Sequence, residues 1–339
     1  MKLLFVGTFL KAQSTHYPIV RELKRKKIDV YIFKFRQFAF NHINIKSYWY
    51  KRKVRIAIES FIKRRPYLPN KIKNLKYYIF GNWYMNRTLL SIVKKNRFDV
   101  VFLAKADTVN YNLIKKFNQY SKTFFYFMDP IEGAYAVNAF KYASLATWSS
   151  ASTTAMTALF KKFGGNSYHI LEVYDENIYN PGEENKSKEI DVIFVGRGLP
   201  QRKHYINYLR NNRINVVCHG PKWENKSIYF NDLILKYRKS KIILNFPRAD
   251  TGFSDRVFHV LGTGSFLLSK YCSDLNRIFQ RGVHMDWFET PEECLKLIKY
   301  YLKNEEIREK IAQQGYNYVV NNFTWKQTVE KILQIINQN

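Results

Sequence analysis

Residues 2–6 form a short, continuous apolar run that stops at Gly7. Such a run reads as a strand buried on both faces of a parallel sheet. A polar loop to His16 follows, then an amphipathic stretch over 17–27 and a second apolar run over 30–35. Strand, helix and strand in that order open a parallel α/β sheet. Runs at 99–104 and 123–128 continue it, the latter ending at Asp129-Pro130, and 142–148 and 167–173 are candidates for two more strands. Residues 176–190 are polar, contain Pro181-Gly182 and read as a linker. The rhythm then restarts, with strands expected at 191–195, 214–218, 241–246 and 266–269 and helices near 204–211, 233–238 and 254–261. The tail reads as three helices, 291–303, 305–322 and 324–338. Pro291-Glu292-Glu293 puts a proline in the first turn and acids against the dipole.

This pattern predicts two Rossmann-like, doubly wound domains, 1–178 and 190–322, with 323–339 a terminal helix able to cross back to the first. Sheets of this kind take ligands at the carboxyl ends of their strands, so the expected site is a cleft between the two halves. The length of 339 residues and 46% hydrophobic content suit two ordinary cores. No run of about 18 uncharged apolar residues predicts a transmembrane helix, and the apolar start is too short to read as a signal peptide. Cys218, Cys272 and Cys294 lie far apart, which argues against a disulfide scaffold or a cysteine zinc site and suits a reducing cytoplasm.

Charge sharpens the picture. The chain carries a net +29, and residues 1–170 hold 31 basic against 7 acidic side chains. A field this lopsided implies an anionic partner: nucleic acid, an acidic polymer or a negative membrane surface. Residues 48–76 concentrate it. Lys51-Arg52-Lys53 and Lys63-Arg64-Arg65 interleave with Tyr48-Trp49-Tyr50, Ile56, Ile58 and Phe61 around a single acid, Glu59. That is a basic amphipathic segment, read either as a solvated face over a core stripe or as an element lying on anionic lipid. Zinc-finger, helix-turn-helix and aromatic RNA-binding signatures are missing, so nucleic acid is not the expected partner.

Two stretches carry candidate chemistry. In Val195-Gly196-Arg197-Gly198-Leu199-Pro200-Gln201-Arg202-Lys203 a strand ends at a glycine turn and three cations precede a helix. Glycine lets backbone approach a phosphate, and a helix start adds partial positive charge. Arg197 and Arg202, five apart across that turn, can clamp a diphosphate. In the second stretch, Arg248 to Phe266, Ser254 reads as an N-cap, and Arg256 and His259 share one helix face beside the apolar Val257, Val260 and Leu261.

Residues 190–325 resemble the C-terminal half of GT-B glycosyltransferases, in particular group-1 (family 4-like) and CgeB-like spore-maturation proteins. The resemblance is carried by the strand–Gly–Arg–x4–Arg turn, by 243–248 and by Arg256-Val257-Phe258-His259-Val260-Leu261-Gly262-Thr263-Gly264-Ser265-Phe266. Asp274-Leu275, Pro291-Glu292-Glu293, Gly315 and Phe323-Thr324-Trp325 extend it. It implies a GT-B fold of two Rossmann-like domains facing a central cleft. Arg197 falls where these enzymes place a diphosphate-binding arginine, and Arg202 replaces a companion lysine. His259 and Thr251 occupy the places of the two glutamates of their E-x7-E motif, both absent here, with Asp250 adjacent. Gly264 and Ser265 match a turn whose N–H groups meet donor phosphate.

In the first half, Gly7 sits where these enzymes bring a loop under the donor. Met128-Asp129 falls where family 4 members often carry His-Asp. Asp129, Glu132, Asp107 and His16 are the candidates for orienting an acceptor hydroxyl or acting as base. Gly196, Lys203, His219 and Arg248 complete the expected donor contacts. The activity implied is transfer from a nucleotide-diphosphate sugar to a glycan or lipid-linked acceptor in cell-surface polysaccharide or glycoconjugate synthesis. Retention of configuration, no catalytic metal and no cofactor beyond the donor are implied with it. The expected location is cytoplasmic, on the inner face of the membrane, with segment 48–76 against anionic lipid. The rival readings are a nucleic-acid-binding protein using the basic half and a non-catalytic GT-B-like partner subunit.

Overall fold

The computed structural model describes residues 1–9, 14–35, 82–129, 131–182, 187–247 and 252–338. Segment 48–76, Arg248, Asp250 and Thr251 lie outside the described residues, as does the side chain of Glu132. The chain divides into two units, Met1–Ala151 with Met156–His169, and Ser152–Ala155 with Ile170–Asn339.

The first unit is built on a six-stranded, wholly parallel sheet. Its strands are β1 (Lys2–Gly7), β2 (Asp29–Lys34), β3 (Val100–Ala104), β4 (Lys122–Phe127), β5 (Trp148–Ala151) and β6 (Ser167–His169), in the order β2-β1-β3-β4-β5-β6. The helices are α1 (His16–Arg25), α2 (Asn82–Asn96), α3 (Asn112–Phe117), α4 (Ile131–Val137), α5 (Ala139–Leu145) and α6 (Thr154–Lys162). Register explains why this sheet is so aromatic. Phe5 pairs with Phe102 and Phe102 with Phe124, and their rings stack at 5.1 and 5.0 Å. Such offset pairs add roughly 0.5–1.5 kcal/mol each beyond area burial. The opposite face presents Val6, Leu103, Phe125 and Phe127 to Leu89, Val93, Ile114 and Phe160.

The expected strand over 142–148 is corrected. Ala139, Tyr142 and Ala143 are buried at helical spacing in α5, and the strand begins only at Trp148. A short apolar run has no period of its own, and the i, i+3, i+4 pattern decided this one.

The second unit repeats the arrangement with β7 (Ile190–Val195), β8 (Val216–His219), β9 (Ser240–Asn245), β10 (Leu267–Lys270) and β11 (Asp286–Phe288), ordered β11-β10-β9-β7-β8 and all parallel. Around it lie α7 (Pro200–Asn211), α8 (Phe230–Arg238), α9 (Arg256–Gly262), α10 (Leu275–Ile278), α11 (Pro291–Lys303), α12 (Glu305–Asn322) and α13 (Trp325–Asn337). Thr290 caps α11 by accepting the Glu293 N–H, and Thr324 and Gln327 form a capping box on α13. Residues 152–155 join this unit because Asp274, 1% exposed, accepts the Thr154 N–H at 3.0 Å. Among the described residues no helix is long and apolar enough to cross a membrane.

Parallel direction also fixes where helices end. In the first unit the last turns of α1, α2, α3 and α6 carry Lys24-Arg25, Lys94-Lys95, Lys115-Lys116 and Lys161-Lys162. All lie at the edge where the strands start, and cations there complement the helix dipole.

Gly315 lets α12 reach its neighbours: a Cβ there would stand 2.1 Å from the His284 carbonyl oxygen and 3.0 Å from Leu261. Gly315→Ala is expected to destabilise the chain by about 2–4 kcal/mol through overpacking against backbone. Gly164→Ala, with positive φ and nothing within 4 Å, should cost only about 1 kcal/mol. Urea unfolding of the two variants tests the contrast.

Candidate functional site

In the second sheet, β7 and β9 are neighbours at the point where strand order reverses, and their carboxyl ends are where a doubly wound sheet takes its ligand. Gly196 follows β7, and Asn245 and Phe246 close β9. A Cβ on Gly196 would lie 3.4 Å from Nη1 of Arg202 and 3.6 Å from Nη1 of Arg256, so two guanidiniums flank this glycine. Arg202 comes from the first turn of α7 and is 6% exposed. It donates to the Phe246 carbonyl at 2.7 Å and to the Arg197 carbonyl at 3.3 Å, with its plane 5.6 Å from the Phe194 ring. Arg256 opens α9 and donates to Asn245 Oδ1 at 3.4 Å. Asn245, itself buried, donates to Ser269 at 2.9 Å. Two cations held at a glycine turn beside a helix start are an arrangement that can receive an anion.

The glycine turn is itself clamped. The Gly196 N–H donates to the His219 carbonyl at 2.8 Å and the Gly198 N–H to Pro221 at 2.9 Å. Gly220 has φ +132°, and a Cβ there would stand 2.4 Å from the Gly196 oxygen. Only glycine supplies that conformation and that proximity. Sequence reading did not single out Gly220, although its Gly-Pro step after a strand was a turn signal.

Other expected donor contacts separate. Arg197 is exposed, and only its carbonyl joins the cluster. Lys203 is exposed with its ammonium 5.8 Å over Trp223. His219 ends β8 with Nδ1 3.1 Å from the Lys226 carbonyl. The N-cap of α9 is Asp255 rather than Ser254, and it makes no side-chain cap bond.

Gly264 and Ser265 require a correction. Their N–H groups donate to Leu261 and Val260, closing the end of α9 at 2.9 and 3.4 Å. Helix α9 runs from the carboxyl edge back to the amino edge, so its end cannot meet a ligand held at its start.

His259 lies on the Arg256 face, its Nε2 3.5 Å from Asp255, and stacks flat on Tyr179 at 3.9 Å. Burial lowers its pKa, against the pull of Asp255 and with the push of Arg256. Burial, with Asp255 next, holds the Tyr179 phenol neutral well above its ordinary range. Tyr179 was missed from sequence because it sits in a segment read as linker.

In the first unit the structure revises the catalytic candidates. His16 is 1% exposed; its Nδ1 accepts the Thr8 N–H at 2.8 Å and its ring packs on Phe5 and Phe9. A Cβ on Gly7 would approach that nitrogen to 2.7 Å. His16 is thus a buried staple of the Gly7-Thr8 turn, not an exposed base. Asp129 follows β4 and pairs with Lys105, which follows β3, at 2.9 Å, each side chain about one-third exposed. Lys105 has φ +50°, a left-handed conformation costing a non-glycine residue roughly 1–2 kcal/mol. Asp107 lies beyond β3 in a turn, its N–H donating to the Lys105 carbonyl. Thr15 Oγ1 approaches Met128 Sδ at 3.9 Å, so the start of α1 and the end of β4 share this carboxyl edge. Among the described residues no three His, Cys, Asp or Glu side chains converge on a metal position.

Residues 202–334 match a family model described as glycosyl transferase-like. The whole chain is similar in structure to Anabaena HepE, crystallised with UDP-glucose, with a TM-score of 0.67, 12% identity and 100% of both chains covered. Sucrose-phosphate synthase from Thermosynechococcus elongatus aligns with a TM-score of 0.65 at 8% identity over 100% of this chain and 98% of that one. A glycosyltransferase from Rickettsia africae aligns with a TM-score of 0.59 at 13% identity over 99% and 98%. The fold is GT-B. The search of curated proteins returned no match. The GT-B frame places the two guanidiniums in the domain that the family model covers, and the CgeB-like subtype rests only on the motifs quoted above.

Because the folded pKa of His259 is depressed, the unfolded chain takes up the proton first as pH falls. The stability His259 contributes in its neutral form is therefore present above about pH 6.5 and is lost below it. His259→Gln is expected to flatten the stability profile between roughly pH 7 and 5 relative to the parent chain. Denaturant midpoints across that range test this.

Proposed function

We propose that this GT-B chain transfers a sugar from a nucleotide-diphosphate sugar to a glycan or lipid-linked acceptor in the synthesis of a cell-surface polysaccharide or glycoconjugate. The observation that carries the reading is the pair Arg202 and Arg256 beside Gly196, at the switch point of the second sheet. As the glycosidic bond breaks, negative charge develops on the leaving diphosphate. Fixed guanidiniums and the start of α7 meet that charge without rearranging. Arg197, exposed on the same turn, can swing onto the outer phosphate. In this reading His259 hydrogen-bonds the ribose, with Tyr179 holding the imidazole plane.

The acceptor falls to the carboxyl edge of the first sheet. There Asp129 accepts a hydroxyl proton or orients the hydroxyl, and Lys105 fixes the carboxylate. Retention of configuration and independence of metal follow the GT-B pattern. UDP bound to HepE supports a uridine nucleotide as the first donor to try. Segment 48–76 brings the enzyme to anionic lipid in this proposal.

Arg256→Ala is expected to weaken UDP binding by about 1.5–3 kcal/mol, the loss for a hydrogen bond to a charged group. Calorimetry with UDP tests this, alongside a panel of UDP-sugars assayed for hydrolysis or transfer. Unchanged affinity in Arg256→Ala, with no turnover of any sugar nucleotide, would remove the reading.

A further inference from the structure

The strand direction of the first unit gathers its charge on one face. The starts of the strands and the ends of α1, α2, α3 and α6 meet at the amino edge of a single sheet, opposite the edge assigned to the acceptor. Dipole complementation explains why lysines sit at helix ends. At the end of α1, Arg25 has an acid, Glu22, at 2.8 Å. Dipole complementation does not explain why the lysines ending α2, α3 and α6 stand without a described one.

The second unit shows the ordinary arrangement. At its amino edge Lys239 pairs with Glu189 at 3.0 Å and Lys241 with Asp191 at 2.7 Å. In the first unit Lys95, Lys116, Lys122 and Lys162 are exposed, and no described carboxylate lies within ion-pair reach of them. Among the described residues the exposed acids on this edge are Asp29 and Asp99, and Asp99 already accepts the Lys2 backbone N–H. Two rings project among the lysines: Phe163, just past α6 and 51% exposed, and Tyr120, just past α3 and 40% exposed.

We propose that this amino edge is a docking face for an anionic phospholipid surface. Uncompensated lysines supply the attraction and the two rings enter the headgroup layer. The face is broad: six strands at about 4.8 Å spacing make it roughly 24 Å wide. Single-stranded nucleic acid is instead bound in grooves that track the backbone, with bases on stacking platforms. Lysine predominates here over arginine, giving point charges rather than the bidentate fork that reads phosphate geometry. None of these residues belongs to segment 48–76 or to the residues assigned to the donor, so the proposal stands independently of the proposed reaction.

The test is flotation of the full chain with phosphatidylcholine vesicles with and without phosphatidylglycerol, at physiological salt. Selective binding to the anionic vesicles is expected. The triple variant Lys95→Gln, Lys116→Gln, Lys162→Gln should weaken partitioning about 100-fold, at roughly five-fold per charge. Phe163→Ser alone should weaken it about ten-fold. Both should keep the parent melting temperature and UDP affinity, while Arg256→Ala should float like the parent chain. Equal binding to neutral vesicles, or parental flotation by the triple variant, would overturn the assignment. So would a DNA duplex bound by the parent but not by the triple variant, with Phe163→Ser leaving flotation unchanged.

Discussion

The direction of the strands governs everything described here. All described strands of each sheet run the same way, so every connecting helix must return antiparallel to them. Helix starts and strand ends therefore collect on one edge, and helix ends and strand starts on the other. Partial positive charge from backbone N–H groups gathers on the first edge, and lysines that answer exposed carbonyls gather on the second. This polarity puts the guanidinium pair and the Lys105–Asp129 pair on carboxyl edges and leaves a lysine field at the amino edge of the first sheet.

Much of this architecture was legible in the sequence. The two βα rhythms appear as apolar runs because the inner parallel strands, such as β1, β3 and β7, are covered on both faces. The glycine turn after β7 announced itself through Gly196, Gly198 and the cations around it. What could not be read was where side chains point once the chain returns. Gly264 and Ser265 looked like a phosphate loop in sequence, yet they lie at the far end of α9, where their N–H groups terminate the helix. His16 fell in a polar loop in sequence, and its burial depends on Phe5 and Phe9 packing on its ring. Tyr142 looked like strand because a run of apolar residues hides a helical period. Each error concerns tertiary direction or packing, which no local pattern encodes.

The two carboxyl edges differ in kind. In the second unit Arg202 and Arg256 bring two positive charges, bonded to a carbonyl and an amide oxygen. In the first unit Lys105 and Asp129 neutralise each other and leave a donor and an acceptor side by side. The former suits a diphosphate and the latter suits hydroxyl groups, a division of labour consistent with the proposed donor and acceptor.

Arg202 reaches its site with its posture already set. Two of its N–H groups are engaged by the Phe246 and Arg197 carbonyls, and its Cζ lies 5.6 Å from the centre of the Phe194 ring. A free arginine surrenders on the order of 2 kcal/mol of rotamer freedom when it is immobilised. Here folding has already met that cost, so an arriving ligand is not charged for it. A lysine in its place would bring one mobile ammonium with no second arm to anchor it.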